Sequence, residues 1–495
     1  MHFVRRSGIV GVVLAGAVAV AALPAGGAPS LSRSSVGGAA QTPGCVPVAA
    51  AECGSVRVPL FRSQPSGPMI DIGYVLIRHR DPALPAARGT VVINPGGPGG
   101  DVISGAAQWV QMLSGLLSDH DLLLIDPRGT GRSHQISCGV TGLPATRDGL
   151  VRALGRCGRT LGRDARAYTS AATADDFEAV RAQLGIPRLD LWGMSYGTYL
   201  MTVFAQRHPG SVRSIVLSSA FPLRFDMWAR ENARAVRLAI RRVCARSTTG
   251  RCDGQRGLRQ LGVLARRLRA RPIRYRAGGE RRVLDETALA GIAYGAGVNI
   301  GQLPAIVRAA LRGKTGPLIA AARELGPMSG SQAPGGPPDL ALAGSILCND
   351  FPTLWDRSAP IPVRLRQFEA RRARLGQSPF RPFSERAWTS AIVDRGNSCI
   401  RWPDRHGPVQ RTSGPFPDVP VLVTSGDLDP NVPTAEGRLA ARQFAHAQVV
   451  EVPNAGHVPE QEATGCAMSI TTDFIRNQRL GDTSCLAKIP AVPVG

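Results

Sequence analysis

The stretch "LDLWGMSYGTYL", Leu189–Leu200, decides how the rest of the chain is read. An apolar run ends at a glycine, a serine sits between two glycines, and a helix-like run follows. Gly193-Met194-Ser195-Tyr196-Gly197 is G-x-S-x-G placed between a strand and a helix. A reversal that tight needs residues without bulk on either side of the serine, and Gly193 and Gly197 supply them. The turn lifts the Ser195 hydroxyl above a sheet and sets the free N–H groups of a helix N-terminus beneath any negative charge formed there.

A serine hydroxyl is a weak nucleophile and needs a base, best a histidine oriented by a carboxylate. His457 lies in "NAGHVP" straight after the last apolar strand, and Asp429 lies in "GDLDPNVP" straight after the one before it. Asp427 is a rival acid, but Gly426-x-x-Asp429 followed by Pro433 puts Asp429 in the more usual turn position. The order Ser195, Asp429, His457 suits a sheet in which each residue sits at a strand's carboxyl edge. Acyl transfer also needs donors for an oxyanion. "NPGGPGG", Asn94–Gly100, ends the first buried strand where such donors belong. The expected pair is the N–H of Gly97, with Gly96 as its rival, and the N–H of Tyr196.

Outward from that centre, "SVRVPL" (Ser55–Leu60), "IDIGYVLIRHR" (Ile70–Arg80), "GTVVINPGGPGG" (Gly89–Gly100), "DLLLIDPRGTGRS" (Asp121–Ser133), "RSIVLSSA" (Arg213–Ala220), "VPVLVTSGDLDP" (Val419–Pro430) and "AQVVEVPNAGH" (Ala447–His457) read as further strands. Continuous apolar strands between helical stretches imply an α/β fold with a mostly parallel sheet covered on both faces. Between about Phe225 and Asp404 strand signals vanish, and amphipathic runs such as "NARAVRLAIRRV" appear. This insertion between two strands is expected to sit over one end of the sheet as a helical cap. The resulting division is 1–28 signal peptide, 29–43 flexible leader, 44–224 first part of the core, 225–404 cap, and 405–495 second part of the core with a cysteine-bearing end. Arg5 and Arg6 followed by the apolar run Ile9–Leu23, too short to span a bilayer comfortably, read as an export signal, so secretion or residence in the cell envelope is expected.

The chain has 495 residues, 43% of them hydrophobic, and a formal charge of +23. Lysine occurs only at Lys314 and Lys488, so arginine carries nearly all the positive charge. That skew points to a coding bias rather than a nucleic-acid surface, which would mix Lys with Arg and interleave aromatics. Neither a nucleic-acid partner nor a stable membrane insertion is expected. No HExxH or comparable cluster occurs, so no metal or cofactor is expected. Ten cysteines, none with CxxC spacing, read as five disulfides in an exported chain. Local pairs are Cys45 with Cys53, Cys138 with Cys157, Cys244 with Cys252 and Cys466 with Cys485, leaving Cys348 and Cys399; spacing alone does not fix the connectivity.

"NPGGPGG", "DPRGTGRS", "GMSYGTYL", "GDLDPNVP" and "NAGHVP" occur in the order seen in α/β-hydrolases of the prolyl-aminopeptidase type. With "GCAMSITTDFIRNQRLGDTSC" (Gly465–Cys485), the whole resembles the secreted tripeptidyl-aminopeptidase group of actinobacteria. The resemblance implies an α/β-hydrolase fold with an inserted cap and a serine exopeptidase that works on peptides with free N-termini. It also implies acidic residues from the cap that read the substrate's amino group. "ILCNDFPTLWD", Ile346–Asp356, resembles the segment leading back to the site, which makes Asp350 the first candidate and Asp226 and Glu231 weaker ones. Two departures stand out: the glycine turn continues "GGDVISG", adding Asp101, and "SSAFPLRFD" replaces the more usual aspartate–glycine sequence after the fourth buried strand. An esterase or lipase-like enzyme would use the same triad, since both reactions pass through one kind of tetrahedral intermediate.

Overall fold

The computed structural model describes residues 45–494 apart from 82, 85–86, 145, 248–251, 278, 296–299, 325–338 and 405–406. The expected signal peptide and leader lie outside the described residues. Ten strands follow in chain order: β1 Ala51–Pro59, β2 Met69–Ile77, β3 Thr90–Asn94, β4 Asp121–Ile125, β5 Leu189–Met194, β6 Val212–Ser218, β7 Ile273–Ala277, β8 Glu280–Leu284, β9 Val421–Gly426 and β10 Ala447–Val452. Eight of them form one sheet in the order β1-β2-β4-β3-β5-β6-β9-β10. β1, β2 and β4 are joined antiparallel, and every pairing from β4 through β3 to β10 is parallel.

The parallel strands read as unbroken apolar runs because both faces are buried. Alternate side chains go to opposite faces. Leu189 and Leu191 of β5 join Phe177, Tyr199 and Phe204 on one side, while Trp192 and Met194 join Ile470 and Phe474 on the other. The same split puts Val421 and Val423 of β9 on the first face and Leu422 on the second. Each large apolar side chain sealed this way contributes roughly 1.5–3 kcal/mol.

The strand order reverses around β3: the chain goes from β3 to β4 on one side and later returns to β5 on the other. Crevices at the carboxyl ends of strands beside such a reversal are where open α/β sheets take ligands. Asn94 at the end of β3 pairs with Gly193 of β5, and Met194 pairs with Ser218 at the end of β6. The turns after β3, β5 and β6 therefore leave the sheet side by side.

Between β6 and β9 the chain is mainly helical, with its own core around Val236, Ile240, Leu261, Leu264, Leu289 and Trp388. In the helix Arg230–Arg246 the buried Ala233, Val236, Ile240 and Val243 repeat every three or four residues, and arginines take the outer face. The structure corrects one expectation here. The segment is not free of strands, because β7 and β8 form a separate antiparallel hairpin. Arg274 and Arg276 alternate with the half-buried Ile273, Tyr275 and Ala277, and Arg281 and Val283 of the partner strand face water, which hid the hairpin from a search for buried runs. The helix Leu340–Asp350 packs away from its neighbours in sequence. Leu342 and Ile346 enter the core against the sheet, and Leu340, Ala341 and Cys348 pack with Leu154, Cys157 and Trp402.

Five disulfides join Cys45–Cys53, Cys138–Cys157, Cys244–Cys252, Cys348–Cys399 and Cys466–Cys485. The four local pairs close as their proximity suggested, and the remaining two cysteines bond to each other. Among the described residues no helix is long and apolar enough to cross a membrane.

Candidate active site

The bend after β5 is built as its glycines require. Ser195 has φ +53°, a left-handed conformation that a non-glycine residue adopts only under constraint. A Cβ on Gly193 would lie 2.4 Å from the Gly197 carbonyl, and one on Gly197 would lie 2.0 Å from the Asn94 carbonyl. Both contacts are with backbone and cannot be relieved by a rotamer change. The helix Tyr196–Arg207 starts directly after Ser195, so its N-terminal amides and the positive end of its dipole face the bend. From Leu189 to Leu200 every residue is buried except Ser195.

The turn after β3 lies against this bend. A Cβ on Gly96, whose φ is +96°, would come within 2.5 Å of the Met194 carbonyl and 2.9 Å of the Tyr196 nitrogen. The Gly96 amide is already used, donating to Asn94 Oδ1 at 3.1 Å. Of the two rival glycines, this leaves Gly97, at φ +108°, with an amide that no described residue engages. The Tyr196 amide is also uncommitted among the described residues. Asp126, after β4, fixes the turn from behind by accepting from Val102 N at 2.7 Å, Ile103 N at 2.9 Å and Arg132 N at 2.8 Å. Asp101, the extra acid of this turn, takes the Ser104 hydroxyl at 2.9 Å.

His457 and Asp429 meet at the same rim. His457 Nδ1 lies 2.9 Å from Asp429 Oδ2; the Asp429 side chain is sealed from solvent, and the imidazole is 22% exposed. Asp429 Oδ1 accepts from the amides of Asn431 at 2.8 Å and Val432 at 3.0 Å. The rival Asp427 faces elsewhere, bonded to Arg246 at 2.5 Å and to the Asn454 amide at 2.8 Å. Burial alone would lower the imidazole pKa, but the charge of Asp429 and its hydrogen bond raise it above the ordinary histidine value. Ser195 is hydrogen-bonded through its backbone, N to the Ser218 carbonyl and its own carbonyl to Thr198. Among the described residues its hydroxyl makes no hydrogen bond, so the Ser195–His457 contact is open in this structure. Catalytic contacts of free enzymes are often long and tighten with substrate.

The three candidate acids stand differently. Asp226 sits before the helix Arg230–Arg246, bonded to the Trp228 and Arg230 amides and to the Arg230 guanidinium at 2.8 Å. Glu231 is half-buried and lies 3.8 Å from Arg234. Asp350 is buried. Its Oδ2 accepts from Ser170 N at 2.6 Å, and its Oδ1 has no partner among the described residues. The Ser170 hydroxyl in turn lies 2.7 Å from the Tyr196 hydroxyl, which links Asp350 to the residue beside the candidate nucleophile. Burial pushes the Asp350 carboxyl up to about 6, against the pull of its Ser170 hydrogen bonds.

Sequence reasoning missed four residues around this site: Asp126, Ser170, Ser219 and Glu460. Asp126 stood inside a quoted motif, "DPRGTGRS", and Ser219 inside the departure "SSAFPLRFD"; Ser170 and Glu460 carry no local pattern. Glu460, three residues past His457, accepts from Ser218, Thr424 and Thr471 on a single oxygen, at 2.6, 2.7 and 3.0 Å.

Comparison with known proteins agrees with this architecture. A family model described as the alpha/beta hydrolase fold matches residues 89–238, which hold β3 to β6 and the serine bend. A second, described as TAP-like protein, matches residues 384–485, which hold Asp429, His457 and the Cys466–Cys485 bridge. The fold is that of an α/β hydrolase. Within that class the chain is similar to tripeptidyl aminopeptidases, as its motifs implied. It is 31% identical to the tripeptidyl aminopeptidase of Streptomyces coelicolor over 207 residues, 37% of each chain. The tripeptidyl aminopeptidase of Streptomyces lividans matches to the same extent. Serine protease Hip1 of Mycobacterium tuberculosis is 29% identical over 188 residues, 34% of this chain and 35% of that one. The chain thus spans a little over a third of the length of the curated relatives it matches.

Proposed function

We propose that the protein is an exported serine exopeptidase that removes short peptides or single residues from free N-termini. Ser195 Oγ attacks the scissile carbonyl carbon while His457 takes its proton and Asp429 stabilises the imidazolium. The carbonyl oxygen becomes an oxyanion held by the Gly97 and Tyr196 amides. His457 returns the proton to the leaving amine, and water then attacks the acyl-enzyme by the same route in reverse. Segment 225–404 acts as the cap that closes the rim, and residues 1–28 are removed on export.

The observation that carries the peptidase reading over the esterase one is Asp350. A buried carboxylate whose Oδ1 has no partner among the described residues, linked through Ser170 to Tyr196, is an acceptor for a substrate ammonium. The names of the relatives support the same choice. The test presents tripeptidyl and prolyl amide reporters with free N-termini beside N-acylated amides and short-chain esters. Selective turnover of the free amines is expected. Turnover of only the blocked amides or the esters would give the site to the esterase reading.

A further inference from the structure

Ser219 is fully buried just beyond β6 and has φ +53°. Its amide donates to the Thr424 carbonyl of β9 at 2.8 Å. Its hydroxyl makes two further bonds, donating to Asp429 Oδ2 at 3.0 Å and accepting from the Val458 amide at 2.9 Å. Asp429 Oδ2 is the same oxygen that holds His457 Nδ1. Val458 is a β-branched residue at φ +56°, a strained conformation that the structure around it must hold in place. The preceding carbonyl, that of Ser218, receives the Ser195 amide at 2.9 Å. One dipeptide thus ties together the bend carrying Ser195, the turn carrying Asp429 and the loop carrying His457.

On the serine-hydrolase reading above, we propose that Ser219 is a positioning residue of the triad, whose hydroxyl sets the carboxylate of Asp429 and the loop of His457 in working register. With the hydroxyl present, Asp429 accepts four hydrogen bonds: two amides on Oδ1, and Ser219 and His457 on Oδ2. Each donor removed frees the carboxylate to turn away from the imidazole. A carboxylate turned away also gives up part of the charge and hydrogen-bond contact that holds the His457 pKa above its ordinary value. Asp429 is the charged group bonded to that imidazole; Glu460 lies three residues further along its loop, bonded to Ser218, and the Tyr294 hydroxyl, from the helix Glu286–Gly295, feels Asp429.

Ser219→Gly is the cleaner variant, because glycine adopts φ +53° without strain and so removes the hydroxyl without burdening the backbone. Ser219→Ala removes the hydroxyl and keeps the Cβ. In both, kcat on the best free-amine reporter is expected to fall ten- to a hundred-fold, with KM changed less than about three-fold. The acid limb of the kcat/KM profile is expected to move to lower pH in both, because His457 loses part of the contact with Asp429 that raises it. A Ser219→Gly enzyme with unchanged kcat and an unmoved limb would overturn the proposal. So would losses that follow the melting temperature of the two variants instead of the missing hydroxyl. Fluorophosphonate labelling of the wild-type enzyme separates this failure from the larger one: an enzyme labelled at Ser195 keeps the serine-hydrolase reading even if Ser219 proves idle.

Discussion

Asp350→Asn should make the protein more stable and less active at once. The folded state raises this carboxyl from 3.8 to about 6, so the ionised form is disfavoured inside the protein relative to the unfolded chain. A displacement of that size is worth about 3 kcal/mol when Asp350 is charged. The group's folded pKa is raised, so its favourable contribution is full below the unfolded value and is lost as pH rises through about 6. The amide keeps an acceptor for Ser170 N and carries no charge. Its stabilising effect should therefore be greatest above pH 6, about 1–3 kcal/mol after allowing for an imperfectly paired amide, and should shrink as pH falls towards 4. Thermal melts of both proteins between pH 4.5 and 8 measure this as a gap of a few degrees that widens with pH. On the activity side, loss of a charge-assisted hydrogen bond to the substrate ammonium should lower kcat/KM for free-amine reporters about 10- to 100-fold, with ester turnover nearly unchanged. A variant that melts lower than wild type at pH 8 would refute the buried-charge argument. A variant that hydrolyses free-amine reporters as well as wild type would refute the substrate-reading role.

Three further outcomes follow from the geometry. His457 must be neutral to accept the serine proton, and its pKa lies above the ordinary value, so kcat/KM should rise with pH through a limb above 6.5, best resolved in Asp350→Asn where the second ionisation is gone. Gly96→Ala would drive a Cβ into the Met194 carbonyl and the Tyr196 nitrogen, so steady-state kcat should drop about 10²–10³-fold, the scale of losing one oxyanion donor. Arg395 is buried against Glu436 at 3.0 Å and over the Phe225 ring at 4.5 Å, so Glu436→Gln should cost about 3–5 kcal/mol in denaturant unfolding, and Arg395→Met combined with Glu436→Leu should recover most of it.

The sheet was legible because burial on both faces writes each parallel strand as an apolar run ending in a turn, as in "VVINPGG" and "LDLWGMS". The rim was legible for the same reason: Ser195, Asp429 and His457 follow three such runs within a few residues. The β7–β8 hairpin was not, because its exposed face is filled with arginine and its strands do not feed the main core. Ser219 was hidden for a different reason. Its stretch, "SSAFPLRFD", stood out as a departure, but its partners Asp429 and Val458 lie 210 and 239 residues away along the chain, so nothing local gave the serine its role. The state of Asp350 depends on the helix Leu340–Asp350 turning back onto the sheet core. Charge pattern alone gives Asp350, Asp226 and Glu231 equal standing; the resemblance of "ILCNDFPTLWD" put Asp350 first, and packing gives that order a physical reason.

The account rests most heavily on Ser195 as a nucleophile activated at the rim. Wild-type protein and Ser195→Ala should be treated with a fluorophosphonate, and the adduct mapped by peptide mass spectrometry alongside turnover of a free-amine tripeptidyl reporter. The expected result is a single adduct on Ser195, absent from the alanine variant, together with loss of hydrolysis. An adduct on another residue, or an alanine variant that still turns over the reporter, would contradict it.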